Sequence, residues 1–234
     1  MPAYVGASPI SALYLGSTPV RALCLGSTLV WPVLASASDN FNRSDSYGLG
    51  GDWSIYGTSG NNRASVVSNT ARSNVATTDG TYYSRCRYES ARANTDDQWV
   101  RATIAATGSP ASGRISAINL RVNNSGEMAD TVGLYFENGS AYIGSAIGGT
   151  FTNRSGTVSG VSAGDVFELR AVGRLFTAYR NGAAVGSWND TGALTGMGAG
   201  YRGGGLATTS ARSFFTNYYS YSLDDWAFGD LSPV

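Results

Sequence analysis

From Asp39 to the C-terminus, apolar and polar residues alternate with a period of two, and no segment longer than two turns keeps helical spacing. Alternate side chains of a strand point to opposite faces, so this pattern predicts strands. Residues 81–89 and 98–105 are expected strands. So is 114–122, where Ile115, Ala117, Asn119 and Arg121 alternate imperfectly with Ser116, Ile118, Leu120 and Val122. Segments 131–137 and 140–146 flank Asn138-Gly139, and 175–180 and 183–188 flank Asn181-Gly182. Asn-Gly tolerates the positive φ angles of a type I′ turn, so both read as hairpins. A strand at 165–172 meets the second hairpin across Gly173, giving a three-stranded antiparallel meander. About twelve short strands without helices predict an all-β antiparallel sandwich of the jelly-roll kind.

The first 35 residues follow another rule. Gly6-Ala7-Ser8-Pro9-Ile10-Ser11-Ala12-Leu13-Tyr14-Leu15 returns as Gly16-Ser17-Thr18-Pro19-Val20-Arg21-Ala22-Leu23-Cys24-Leu25, and a third copy from Gly26 drifts into Leu29-Val30-Trp31-Pro32. Each unit reads as a small-residue turn followed by about six apolar or β-branched residues. In a strand, Ile10, Ala12 and Tyr14 would line one face, and Leu13 and Leu15 the other. So short a segment builds no core of its own and must bury both faces against something else. It is read as a docking and oligomerisation segment, with Leu13, Tyr14, Leu15, Leu23, Leu25 and Trp31 at the assembly interface. Residues 33–38 read as a linker. The expected division is therefore a docking segment and linker at 1–38 and a sandwich at 39–234.

Composition narrows the function. Net charge is zero and only 14% of residues are charged, which leaves no basic footprint for nucleic acid. All 16 basic residues are Arg. Without His there is no Ser-His-Asp triad, Cys-His pair or H-E-x-x-H zinc site, and without Lys there is no P-loop. No two acids stand two residues apart, so none share a strand face locally, and the expectation is a protein that is not an enzyme. Ala35-Ser36-Ala37 resembles a signal-peptidase site, but no basic region precedes it and Gly, Pro and Arg21 interrupt the apolar stretch. The expectation is a soluble chain, not exported by that route and not inserted in a membrane. Cys24 occupies the repeat position of Tyr14 and reads as a packing residue, while the pairing of Cys24 and Cys86 is not legible.

Three passages taken together resemble a known family. Asp39-Asn40-Phe41-Asn42-Arg43 followed by Leu49-Gly50-Gly51-Asp52-Trp53 resembles the opening of concanavalin A-like, laminin-G-like domains of phage minor tail proteins. Residues 176–182 resemble a hairpin in their second half, and 223–230 their closing strand. The decapeptide resembles N-terminal segments of tail proteins from phages of actinobacteria. The resemblance implies a virion component, in the tail rather than the head, with other virion proteins as partners. We expect a homo-oligomer, a trimer. The alternatives are a host cell-wall glycan-binding adhesin and a capsid decoration or head-fibre protein.

Two candidate sites follow. The fold implied by the resemblance often holds a structural Ca²⁺ near its first and last strands, where Asp39, Asp224 and Asp225 would supply oxygen ligands; the competing reading makes the last two edge-strand charges. A glycan site needs aromatic faces with polar neighbours. Residues 201–212, with Gly203-Gly204-Gly205, are expected to be a loop, its Tyr201, Arg202 and Arg212 joined by Tyr218 to bind host cell-wall polysaccharide. Consecutive aromatics such as Phe214-Phe215 are expected to split between two strand faces. Trp31, Trp53, Trp99, Trp188 and Trp226 read as core or interface anchors.

Overall fold

The computed structural model describes residues 34–57, 62–74, 76–109 and 113–231, with the backbone of residues 4–5, 8–9, 14–15, 18–19, 23–25 and 28–31. The N-terminal residues pair as three antiparallel ladders: β1 (Tyr4–Val5) with β2 (Ser8–Pro9), β3 (Tyr14–Leu15) with β4 (Thr18–Pro19), and β5 (Leu23–Leu25) with β6 (Thr28–Trp31). The start of each unit, Gly6-Ala7, Gly16-Ser17 or Gly26-Ser27, falls between the two strands of a ladder. The repeat therefore sets the spacing of these ladders. Leu13, and the side chains of Tyr14, Leu15, Leu23, Cys24, Leu25 and Trp31, lie outside the described residues.

The remaining strands are β7 (Ser36–Asp39), β8 (Trp53–Gly57), β9 (Ala64–Val67), β10 (Thr70–Ser73), β11 (Gly80–Tyr88), β12 (Gln98–Ala106), β13 (Ser116–Val122), β14 (Thr131–Glu137), β15 (Ser140–Ile147), β16 (Thr150–Asn153), β17 (Val158–Ser159), β18 (Val166–Val172), β19 (Leu175–Arg180), β20 (Ala183–Asn189), β21 (Gly203–Ser213), β22 (Thr216–Tyr219) and β23 (Ser222–Asp230). They form two antiparallel sheets. The first runs β20-β19-β18-β12-β23-β10-β9, with β7 also on β23; the second runs β16-β15-β14-β13-β21-β11-β8, with β17 on β15 and β22 on β21. This is the expected antiparallel sandwich. Both Asn-Gly hairpins form as predicted: φ is +45° and +78° at Asn138-Gly139, and +51° and +82° at Asn181-Gly182.

Two segments differ from expectation. Residues 36–38, read as linker, begin β7, which pairs with the last strand through Ser36↔Gly229 to Asp39↔Trp226. Small residues suit this place because a Cβ on Gly229 would lie 2.6 Å from the Ala35 carbonyl oxygen. Residues 203–212, read as a loop, instead fall within β21, an eleven-residue strand held by both β11 and β13. Its glycines are there for close approach. A Cβ on Gly203 would meet the Val122 carbonyl oxygen at 2.9 Å, one on Gly204 the Phe228 ring at 2.4 Å, and one on Gly205 the Cys86 carbonyl oxygen at 2.4 Å.

Between the sheets, Trp53 and Trp226 meet edge-on at 4.7 Å, with Tyr88 5.1 Å from Trp53 and Phe228 stacked on Trp226. Phe136, Phe167 and Tyr221 form a second aromatic group, and Trp188 stacks on the buried Phe176. Burial of this surface is the main force holding the sheets together. Trp99 lies toward the surface, donating to the Asp230 carbonyl oxygen at 3.0 Å. The two sheets differ on their outer faces. In β12 and β18 of the first sheet buried residues alternate with accessible ones, whereas every residue of β13 and residues 131–136 of β14 are buried. The outer face of the second sheet is therefore covered by its own side chains and rim loops, and it is where the site lies.

Candidate functional site

Strand register maps that outer face. Tyr142, Tyr135, Ala117, Ala207, Arg85 and Tyr56 form one row across β15, β14, β13, β21, β11 and β8. Beside it run Asn153, Gly144, Gly133, Asn119, Gly205, Arg87 and Ser54. A third row, Phe151, Ala146 and Thr131, crosses β16, β15 and β14. The middle holds small residues and Asn119, nearly all of them buried; aromatic rings stand at one end and guanidinium groups at the other.

The aromatic end is packed by necessity. Tyr135 and Tyr142 stack with centroids 5.9 Å apart and planes 9° apart, and Phe151 meets Tyr135 edge-on at 4.8 Å. Gly133 and Gly144 make room, since Cβ atoms there would lie 2.9 Å from the Tyr135 ring and 2.6 Å from the Phe151 ring. The Tyr142 hydroxyl donates to Glu137 Oε2 at 2.8 Å, and the Gly113 amide donates to the other Glu137 oxygen. Burial, with the Glu137 carboxylate beside it, pushes the Tyr142 hydroxyl well above the usual phenol range. It stays neutral and a donor. Phe151 keeps 43% of its surface exposed and offers an apolar plane.

At the cationic end, Arg87 donates through Nη2 to the Tyr56 hydroxyl at 2.7 Å, through Nε to Glu89 at 2.8 Å, and through Nη1 to the Asn123 carbonyl oxygen at 3.0 Å. Arg85 pairs with Glu127 at 3.1 Å. The β13–β14 connection thus folds back over the sheet, and Met128 is buried against Gly205. With the middle of the face buried, what a ligand meets is the exposed Phe151 plane and the hydrogen-bonding groups at the edges, which suit a hydroxylated ligand that stacks on one side and exchanges hydrogen bonds on the other.

The expected glycan residues do not form one site. Tyr201 lies just before β21 and Arg212 near its far end, about 35 Å apart at strand rise. Tyr201 lies in a 3-10 turn (Ala199–Tyr201) and lines a cavity of about 190 Å³ beside the third row, with Arg121, Thr131 and Ala146. Arg202 holds a loop, pairing with Asp96 at 3.0 Å and donating to the Asn94 carbonyl oxygen at 2.6 Å. At the other end, Arg212 donates to the Ala76 carbonyl oxygen at 2.8 Å, and Tyr218 lies under the Arg114 guanidinium at 4.1 Å. Arg212 and Tyr218 point to opposite faces, because Ala211 is the partner of Tyr218 and Asn217 that of Arg212. Phe214 and Phe215 do not split between faces. They are the turn between β21 and β22, both with positive φ, 86% and 87% exposed.

Asp39, Asp224 and Asp225 converge through the β7–β23 pairing, but not as a cation site. Asp39 accepts from Arg43 Nη1 at 2.7 Å and Nη2 at 2.9 Å, the Trp53 indole at 2.9 Å and the Phe41 amide at 2.9 Å. Burial pushes its carboxyl up, but these bonds outweigh burial and hold it below the usual carboxylate range. Arg43 also donates to the Leu49 carbonyl oxygen, so the opening motif is a clamp that binds the first loop to the core. Asp225 is turned out at a β-bulge with φ +47°. Among the described residues no three His, Cys, Asp or Glu side chains are grouped to hold a metal ion, and Asp39 already carries its cation in Arg43. These residues do not fit calcium. The larger depression beside them, about 580 Å³ and lined by Arg101, Val166 and Asp225, offers no exposed ring, since Trp226 is fully buried.

Arg121, which the sequence pattern places as an ordinary strand residue, is 1% exposed and lines the smaller cavity. No local signal marks it, because its burial comes from loops remote in sequence.

Solved structures share this architecture. The lectin UEA-II, complexed with galactose, aligns with a TM-score of 0.53 at 12% identity, over 84% of this chain and 99% of that one. SCLam, a non-specific endo-β-1,3(4)-glucanase of family GH16, aligns at 0.53 and 10% identity over 86% and 93%. A prokaryotic β-1,3-1,4-glucanase (lichenase) derived from a mouse hindgut metagenome aligns at 0.52 and 11% identity over 83% and 98%. At such identities the likeness shows the fold alone, the jelly-roll sandwich of lectins and glucanases. No curated protein matches the chain. The model of one sequence family, the domain of unknown function DUF7257, matches residues 32–234, and the protein belongs to that family.

Proposed function

We propose that the protein is a saccharide-binding display module of a bacteriophage virion, carried on the tail, that engages host cell-wall polysaccharide without turning it over. One observation carries the binding reading: the outer face of the second sheet ends in the Tyr135–Tyr142–Phe151 wall, with Phe151 exposed beside a polar cavity. A core-facing role explains neither the exposed ring nor glycines cut to fit it. The virion setting rests on the resemblance to phage tail proteins and on the decapeptide ladders, which join the sandwich to a larger, trimeric assembly. The test is binding of the protein to cell-wall polysaccharide from actinobacterial hosts. Phe151→Ala is expected to weaken binding at least tenfold while the thermal midpoint moves little; binding that survives Phe151→Ala unchanged would place the ligand elsewhere.

The docking role has its own test. Ala35 exchanges two hydrogen bonds with Asp230, so a truncation must spare residue 34 onward. Removal of residues 1–33 is expected to leave a folded monomer; a fragment that remains oligomeric would assign assembly to the sandwich.

A further inference from the structure

Arg121 stands where the β13–β21 register slips: Asn119 pairs with Gly205, but Val122 with Gly203. Arg121 takes up the extra residue with φ +54°, and its side chain is thrown to the end of the sandwich. There Nη2 donates to the Gly173 carbonyl oxygen at 2.8 Å and Nη1 only weakly to that of Gly196 at 3.4 Å. Nε is buried without a partner. No carboxylate pairs with it among the described residues. The nearby acids are engaged elsewhere: Asp96 by Arg202, Asp190 by Arg174, and Asp97 by the Gly173 amide. A guanidinium held away from water without a counter-ion is costly, and burial lowers its pKa, the fields of Asp96 and Asp97 opposing that shift.

Beside Arg121 lies the cavity of about 190 Å³. Thr131 and Ala146 form one wall, Leu194 and Thr195 another, and the Tyr201 ring lies against Gly196, where a Cβ would meet it at 2.3 Å. Asp130 also lines the cavity, one of its oxygens engaged by the Gly148 amide at 2.7 Å. Thr131 and Ala146 continue the row that ends at Phe151, so a group reaching into the cavity would belong to a ligand stacked on that ring.

We propose that this cavity is a subsite for an oxyanion, a carboxylate or a phosphate, borne by the saccharide that the outer face binds. The proposal rests on the saccharide-binding reading and names its ligand class: an acidic polysaccharide rather than a neutral one. Arg121 supplies the charge, and the Tyr201 hydroxyl, which has no hydrogen-bond partner among the described residues, is the second donor in reach of the cavity.

The full-length protein is titrated with polygalacturonate, with the same polymer after carboxyl reduction, and with a glucan with and without phosphate substituents, at fixed ionic strength. The acidic member of at least one pair is expected to bind tenfold or more tighter than its neutral counterpart; which pair responds separates carboxylate from phosphate. Leu194, 49% exposed on the lip, permits a variant that spares the buried network. Leu194→Glu is expected to reduce the acidic preference at least fivefold, and Arg121→Gln to abolish it if the variant folds. Equal binding of acidic and neutral forms, or a preference that survives Leu194→Glu, overturns the subsite but leaves saccharide binding standing. Failure to bind any of these polymers overturns the subsite, and failure on host cell-wall polysaccharide as well overturns the parent reading.

Discussion

The turn at Phe214-Phe215 permits a quantitative test of how its geometry was bought. Ser213 and Thr216 close the hairpin, and the two residues between them have φ of +46° and +67°. Such a turn favours Asn-Gly, and an L-residue held in the left-handed region costs about 1–2 kcal/mol. Neither ring recovers this by burial, since both are nearly fully exposed. Phe215 lies 5.7 Å from the Arg212 guanidinium, which returns about 0.5–1 kcal/mol. Replacing the pair by Asn-Gly removes roughly 2–4 kcal/mol of strain, and forfeits that contact and about 0.5–1 kcal/mol of added chain entropy at glycine. The Phe214 amide bond to Asp79 survives because it is a backbone donor. Net stabilisation should be about 1–2 kcal/mol, or about 2–8 °C in Tm for a domain of this size. Urea unfolding should show a higher midpoint at an unchanged slope. A double variant no more stable than the parent would refute the strain argument. Phe-Phe at Asn138-Gly139 is the reverse control and should destabilise.

Asp39→Ala removes the partner of Arg43, Trp53 and the Phe41 amide, and should cost about 2–4 kcal/mol in chemical denaturation, with Asp39→Asn recovering only part. At Asp39, Glu89, Asp165 and Asp190, burial raises the carboxyl but hydrogen bonds and Arg neighbours outweigh it, and all four lie below the usual range. Their stabilisation is complete above the unfolded carboxylate pKa and is lost as pH falls through the lower folded values. Asp224, raised by burial and by Asp225 and Asp39, acts in the opposite sense. Four against one, the urea midpoint should be level from pH 7 to about 5 and fall below about pH 4. Gly144→Ala drives a Cβ into the Phe151 ring and should weaken saccharide binding measured by calorimetry more than it lowers Tm. Cys86 is free and fully buried, and its thiol is pushed far up by burial; peptide mapping should find it unlabelled by iodoacetamide in the folded protein and labelled in urea.

Reading the chain succeeded where physics is local. Asn138-Gly139 and Asn181-Gly182 determine their turns through two residues' φ preferences, and β12 and β18 show their faces because one side is wet. It faltered where burial is two-sided. β13 alternates imperfectly because Ile118 and Leu120 face the core while Ala117 and Asn119 lie under the outer-face cover. Gly203-Gly204-Gly205 resembles a loop in composition, yet each glycine is demanded by a neighbour from another strand. Phe214-Phe215 has strong strand propensity and was placed in a turn by the pairing of its flanks.

Period-two alternation and turn dipeptides were enough to establish an all-β sandwich, and the sequence shows directly that this chain holds no motif built on His or Lys, because those properties reside in single residues and near neighbours. The wall of Tyr135, Tyr142 and Phe151, the Asp39 clamp and the buried Arg121, which meets no carboxylate among the described residues, exist only once strands remote in sequence lie side by side. Desolvation, stacking and ion pairing act through space. Which aromatic is exposed, whether a buried arginine meets an acid and which aspartate is already occupied are therefore decided by the tertiary fold.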